Sequence, residues 1–229
     1  HNIYGGGNIA CTVGRKDGSG NLNGSGNTYI TMLAGMLKDS TQVIPGEVDP
    51  NKSLFEYNEW REVYNKVGSP HFSVFGGGFG EMANVLGDTY VDIEMEKRGS
   101  IHNYDIKEGE EYKHFLSGYS VMDIVGGGYS GKVEGDTHVT GKGGCFCRRV
   151  FGGGYYNSVR STNVDILAID CRDIFGGGQM GDVLKSTNVN IGSKDAASSA
   201  VYHNSDIYVH GSVYGGNDVS GYINVVLDK

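Results

Sequence analysis

The chain has 229 residues, enough for one all-β domain, and its 38% hydrophobic content is lean for a compact globule. With 39 Gly against 3 Pro, it is neither collagen nor a Pro-rich linker. A net charge of −8, with Arg148-Arg149 as the sole adjacent arginine pair, excludes nucleic acid as a partner, and no run of 18 apolar residues exists to insert into a membrane.

Taken in order, a two-part unit recurs six times. The first copy is Ile3-Tyr4-Gly5-Gly6-Gly7 with Thr28-Tyr29-Ile30-Thr31. The second is Val74-Phe75-Gly76-Gly77-Gly78 with Thr89-Tyr90-Val91-Asp92-Ile93. Ile124-Val125-Gly126-Gly127-Gly128 with Thr137-His138-Val139 is the third. Val150-Phe151-Gly152-Gly153-Gly154 with Thr162-Asn163-Val164-Asp165-Ile166 is the fourth, and Ile174-Phe175-Gly176-Gly177-Gly178 with Thr187-Asn188-Val189-Asn190-Ile191 the fifth. The sixth is worn: Val213-Tyr214-Gly215-Gly216 with Tyr222-Ile223-Asn224-Val225.

The second half of each unit alternates with period two, so Thr, Val and Ile share one face and the intervening residues the other. Copies three, four and five start 26 and 24 residues apart, the length of one coil of a parallel β-solenoid. The expected fold is therefore all-β: a single-stranded parallel β-helix, right-handed, of about six coils, forming one domain over 1–229. Stacking turns each position into a column. Ile30, Val91, Val139, Val164, Val189 and Ile223 should point inward, and a column of Thr should lie near a corner, its hydroxyls bonding along the ladder. The glycines are expected to supply positive φ or close approach at a tight bend.

Three stretches interrupt the array, at about 32–70, 94–119 and 192–205. In the first, Leu54, Tyr57, Trp60, Val63, Tyr64 and Val67 recur at helical spacing and predict a short amphipathic helix ended by Gly68. Its Trp60 is also a candidate aromatic platform for a ligand. The second is charged, with Glu108, Glu110, Glu111, Lys113 and His114, and reads as a solvated hairpin or loop. The third is a polar loop.

Several site readings compete with plain structure. Gly126-x-Gly128-x-x-Gly131 has dinucleotide-binding spacing but leads into another strand rather than a helix, so no cofactor is expected. Cys147 and Cys171 should stack on adjacent coils, either as a thiol ladder or as a disulfide. His71 and His210 fall at the same column position, but no paired-cysteine motif supports a metal. The outward column Tyr29, Tyr90, His138, Asn163, Asn188, Tyr222 is either exposed strand filling or a ligand-binding row that stacks on sugar rings. Arg148 and Arg172 stack, and Asp92 and Asp165 share an outward column two coils apart, roughly 10 Å. That separation is near the upper end for a pair of inverting glycosidase carboxylates.

The Val-Phe/Tyr-Gly-Gly-Gly and Thr-x-Val-x-Ile pattern resembles the Gly-rich repeats of very large secreted, adhesin-like surface proteins of gut bacteria. The resemblance covers the six units, about half the chain, and not the insertions. It implies an exported stalk or adhesive segment at the cell surface, joined to neighbouring domains of a longer chain and without catalytic residues. The expected partner is a polysaccharide or host glycan. The alternative is a polysaccharide lyase or glycoside hydrolase of the parallel β-helix type, using Asp92, Asp165, Arg148 or Arg172.

Overall fold

The computed structural model describes residues 2–33, 36–41, 72–94, 104–108, 111–192, 207–209 and 211–224. The helix expected around Trp60, together with His71 and His210, lies outside these residues. The strands are β1 (Ile3–Tyr4), β2 (Thr28–Met32), β3 (Met36–Thr41), β4 (Val74–Phe75), β5 (Thr89–Ile93), β6 (Tyr104–Glu108), β7 (Glu111–Val125), β8 (Thr137–Phe151), β9 (Thr162–Phe175), β10 (Thr187–Ile191), β11 (Ile207–Val209) and β12 (Val213–Tyr214).

The repeat units stack as coils of a parallel β-solenoid, and each coil contributes to three ladders. The first, leading into the glycines, runs Ile3, Val74, Ile124, Val150, Ile174, Val213, with every pairing parallel and in register. The second is narrow, one valine per coil: Val13, Val85, Val133, Val159, Val183, then Ile223. The third aligns Thr28, Thr89, Thr137, Thr162 and Thr187, and the alternating residues behind them. β8 and β9 are long because the third ladder of one coil runs on into the first ladder of the next.

Alternation along these strands builds three separate cores. Val74, Ile124, Val150 and Ile174 meet Val91, Val139 and Val164 in the main one. Their sequence neighbours Phe75, Val125, Phe151 and Phe175 point the other way. They are nevertheless buried, because the chain after the glycines folds back over them and covers them with Tyr129 and Tyr155. Tyr4 stacks on Phe75, Phe151 on Phe175, and Phe175 on Tyr214, with centroids 4.9–5.1 Å apart. The narrow valine ladder forms the third core.

One assignment made from the sequence is corrected. Ile223 bridges Val183, and Val183 donates its N–H to the Tyr222 carbonyl. Tyr222 and Ile223 therefore belong to the narrow second ladder, not to the columns of Tyr29 and Ile30. The physical reason is spacing. Ile223 follows the first glycine of its unit, Gly215, by eight residues, much as Val85 follows Gly76 by nine, whereas Val91 follows Gly76 by fifteen.

The glycine triplets are explained by proximity and not by backbone handedness. Among the described residues, the glycines with positive φ are Gly14, Gly20, Gly24, Gly26, Gly192 and Gly221, none of them in a triplet. A Cβ at Gly5 would instead lie 2.5 Å from the Gly76 carbonyl oxygen. Gly76, Gly126 and Gly152 each face the first-glycine carbonyl of the following coil in the same way, closer still. The second glycines donate across the same seam, Gly77 to Gly127, Gly127 to Gly153 and Gly153 to Gly177. That backbone contact leaves no room for a side chain.

The threonine column serves this seam. Thr28, Thr89, Thr137 and Thr162 are buried, and each hydroxyl donates to the first-glycine carbonyl of the next coil: to Gly76 at 2.6 Å, Gly126 at 2.6 Å, Gly152 at 2.5 Å and Gly176 at 2.5 Å. The expected structural column is present, but its hydroxyls bond the neighbouring turn and not one another. Thr137→Val keeps the shape and strands the Gly152 carbonyl, so chemical unfolding should show a loss of about 1–3 kcal/mol.

Of the insertions, 94–119 contains a hairpin, β6 pairing antiparallel with the start of β7. β3, from the first insertion, pairs antiparallel with the next part of β7. Near the first coil, Lys16 and Leu22 close a small antiparallel turn that Lys16 ties to Glu134 with a 2.6 Å ion pair.

Candidate functional site

The outward face of the third ladder carries the candidate binding residues. Tyr29 stacks on Tyr90 with centroids 4.9 Å apart and planes 7° apart, and Tyr90 stacks on His138 at 4.6 Å and 5°. In-register pairing continues the column through Asn163 and Asn188. This face-to-face contact has a consequence. The rings of Tyr90 and His138 occupy one another's faces and offer mainly their edges outward, so Tyr29, at the end of this stack, keeps an open ring face. Tyr29 is 68% exposed, and its hydroxyl accepts from the Asn27 amide at 3.2 Å. Tyr222 lies elsewhere, on the second ladder, and Trp60 is outside the described residues.

Beside the rings runs Thr31, Asp92, Thr140, Asp165, Asn190. Thr140 thus separates the two aspartates, as their spacing implied. Asp165 accepts a 2.7 Å hydrogen bond from Asn190, and the Lys142 ammonium sits 2.7 Å from Glu94 and 4.0 Å from Asp92. At the head of the ladder Asn27, Asp88 and Asp136 form a relay: Asn27 Oδ1 accepts the Asp88 N–H, and Asp88 Oδ1 accepts the Asp136 N–H, both at 2.8 Å. Arg160 grips Asp136 with two bonds, at 2.7 and 2.8 Å. Those bonds hold the Asp136 carboxyl below the usual carboxylate range.

Arg148 and Arg172 lie on a different ladder from Asp92 and Asp165. Cys147 and Val150 both enter the main core, so Arg148 and Arg149 between them turn outward together. There they converge on Asp123, which is 1% exposed. Arg148 reaches it at 3.1 and 2.6 Å, and Arg149 at 3.1 and 3.0 Å. The Tyr155 hydroxyl donates to the same carboxylate, and Arg149 extends to Asp218 at 3.0 Å. Burial pushes the Asp123 carboxyl up, but the hydrogen bonds and charges of Arg149 and Arg148 outweigh it and hold it below the usual range. Burial also raises the Tyr155 hydroxyl, reinforced by the adjacent Asp123 charge. Arg172 pairs with Asp173, whose other oxygen accepts the Ser212 N–H at 3.0 Å.

No family model, curated protein or solved structure matches this chain.

Asp123, Tyr155 and Asp218 were not singled out from the sequence, although a signal was there. Written in register, the first ladder carries Asn2, Ser73, Asp123, Arg149, Asp173, Ser212, a column that alternates in sign where it is charged. Stacked parallel coils put like residues about 4.8 Å apart, so a repeated charge would repel itself and an alternating one attracts. Cys147 and Cys171 are register partners, both buried, and the structure keeps both as thiols. The strand spacing of about 4.8 Å lies within the Cα range that a disulfide tolerates, so this in-register pairing is the geometry shared by the thiol-ladder and disulfide readings. Among the described residues, no three His, Cys, Asp or Glu side chains group to hold a metal ion.

Proposed function

We propose that this chain is a non-catalytic structural or adhesive segment, exported to a bacterial surface, that holds glycan on the outward face of its third ladder. The observation that carries this reading is how the charged groups named as catalytic candidates are engaged. Arg148 is spent on Asp123, Arg172 pairs with Asp173, and Asp165 accepts from Asn190. A general acid needs a carboxyl kept protonated near neutral pH. Asp123 and Asp136 are instead held ionised by arginines, which suits fastening coils together. The lyase alternative asks Arg148 or Arg172 to act as a base, and both are paired with aspartates. The hydrolase alternative asks Asp92 and Asp165 to act together. These share one ladder two coils apart, with Asp165 bonded to Asn190 and Asp92 4.0 Å from the Lys142 ammonium.

A glycan would meet one open ring at Tyr29, then tyrosine and histidine edges, then amides and carboxylates. Passing the purified chain over host and plant polysaccharides, while assaying for new reducing or unsaturated ends, tests this. The expected outcome is retention without release. Tyr29→Ala should weaken retention about tenfold, equivalent to about 1.4 kcal/mol, and Tyr90→Ala less. Release of ends that vanishes in Asp165→Ala or Arg172→Ala would make the chain an enzyme.

A further inference from the structure

We propose that the inner coils carry a groove for an elongated planar aromatic molecule with a positively charged end, laid along the solenoid axis on the outward face of the third ladder. Alternation gives this face parallel columns about 6.6 Å apart, two residues of strand rise. Tyr90 and His138 form one tall column. Two columns on, Glu94 and Lys142 form another, joined by their 2.7 Å ion pair. Between them run the shorter side chains of Asp92, Thr140 and Asp165. Tall walls about 13 Å apart over a low floor make a groove that crosses the strands. β2 and β10 flank these strands on either side, so the groove lies within the array.

The rings decide the class of ligand. Tyr90 lies face to face with Tyr29 and with His138, the planes 7° and 5° apart. The ring normals therefore run broadly along the axis, and the ring edges look sideways over the floor. An aromatic edge carries the positive part of the ring quadrupole and prefers the negative face of another ring. A flat aromatic molecule set lengthwise, its face against this wall, gains that contact from each ring it passes. A sugar stacks on ring faces, and between Tyr90 and His138 none is free. The floor continues to Thr31 and Asn190, four coil spacings or about 19 Å in all, which is room for two or three linked rings.

The charge of the ligand follows from the floor. Near the rings the carboxylates share an ammonium, for Lys142 sits 2.7 Å from Glu94 and 4.0 Å from Asp92. One coil beyond His138 the wall changes from rings to Asn163, and the floor residue is Asp165. Its 2.7 Å hydrogen bond comes from the Asn190 amide, a partner that brings no positive charge. An electron-rich ring therefore suits the stretch at Tyr90 and His138, and a cation the stretch at Asp165. A charge spread over a planar group gives up water more readily than a compact ammonium does, so the cation belongs to the same flat framework.

Thioflavin T, which joins an electron-rich dialkylaniline to a benzothiazole cation in one planar framework, is the probe. Titrated into the whole chain, kept monodisperse as judged by sedimentation, it should give a fluorescence rise that saturates at one dye per chain. Thr140→Arg raises the floor at its midpoint and adds a positive charge. It should weaken binding about tenfold or more while keeping the urea midpoint of wild type. Met82→Arg brings an arginine to an exposed turn away from the groove and should bind as wild type does. Asp165→Asn keeps the volume and removes the charge, and should weaken binding about threefold while flattening its salt dependence. A wild-type chain that gives no saturable rise overturns the proposal, and so does a folded Thr140→Arg chain that binds like wild type. Should Thr140→Arg fail to fold, Asp165→Asn decides: binding as tight as wild type, with the same salt dependence, overturns the proposal.

Discussion

Gly152→Ala should cost about 2–6 kcal/mol and shift the urea midpoint by about 1 M or more, whereas Gly215→Ala should leave it unchanged. The substitution is the same and the local sequence nearly so. At Gly152 the added methyl drives into the Gly176 carbonyl oxygen and lies 2.8 Å from the Thr162 Cβ and 3.0 Å from a Val164 methyl. None of these is the free end of a flexible side chain. The coil must lift, and two linked bonds lift with it: the Gly152 N–H to the Phe175 carbonyl, and the Thr137 hydroxyl to the Gly152 carbonyl. The estimate sums about 1–3 kcal/mol for overpacking with about 1–3 kcal/mol for a buried acceptor left unmet. Because each coil holds the next, the loss should reach the whole array and not one turn. Urea titrations of the two variants under dilute conditions make the comparison. Equal effects would mean that glycine is required by the bend itself and not by the neighbouring coil.

That comparison shows what could be read from the sequence and what could not. Period-two alternation behind Thr89, Thr137, Thr162 and Thr187 fixes the register of the third ladder, because a one-residue slip would turn every valine outward. The first ladder was equally plain from the apolar pair before each triplet. The narrow ladder was not, since one valine per coil has no periodicity to detect. Its sole trace is a Val four residues before Thr89, Thr137 and Thr187, and three before Thr162. Missing it misplaced Ile223 and, with it, Tyr222. The site was harder again. Tyr29, Tyr90 and His138 were correctly put in one column, but that their faces would be spent on one another depends on side-chain rotation. Asp123 escaped notice because its partners come from a later coil, 25 and 26 residues on.

Asp123→Asn should be the most damaging substitution that changes no volume, at about 3–5 kcal/mol in chemical unfolding at neutral pH. The carboxylate is nearly inaccessible and takes two bonds from each of two guanidinium groups and one from Tyr155. Replacing it with an amide leaves Arg148 half-buried without its counter-charge and Arg149 with Asp218 alone. Asp136→Asn is the control. Its partner Arg160 is 41% exposed on its side chain, so solvent screens the pair and the loss should stay under about 1 kcal/mol. The pH dependence follows from the direction of the shift. Asp123 titrates lower in the folded chain than in the unfolded one, where a carboxyl sits near about 3.9. Its contribution is therefore complete above that unfolded value and disappears as the pH falls through the lower folded value. The gap between wild type and Asp123→Asn should be widest at neutral pH and narrow in acid as the wild-type carboxyl takes up its proton. A gap that held constant from pH 7 down to pH 2 would show that shape and hydrogen bonding, and not the buried charge, fasten β7 to β8.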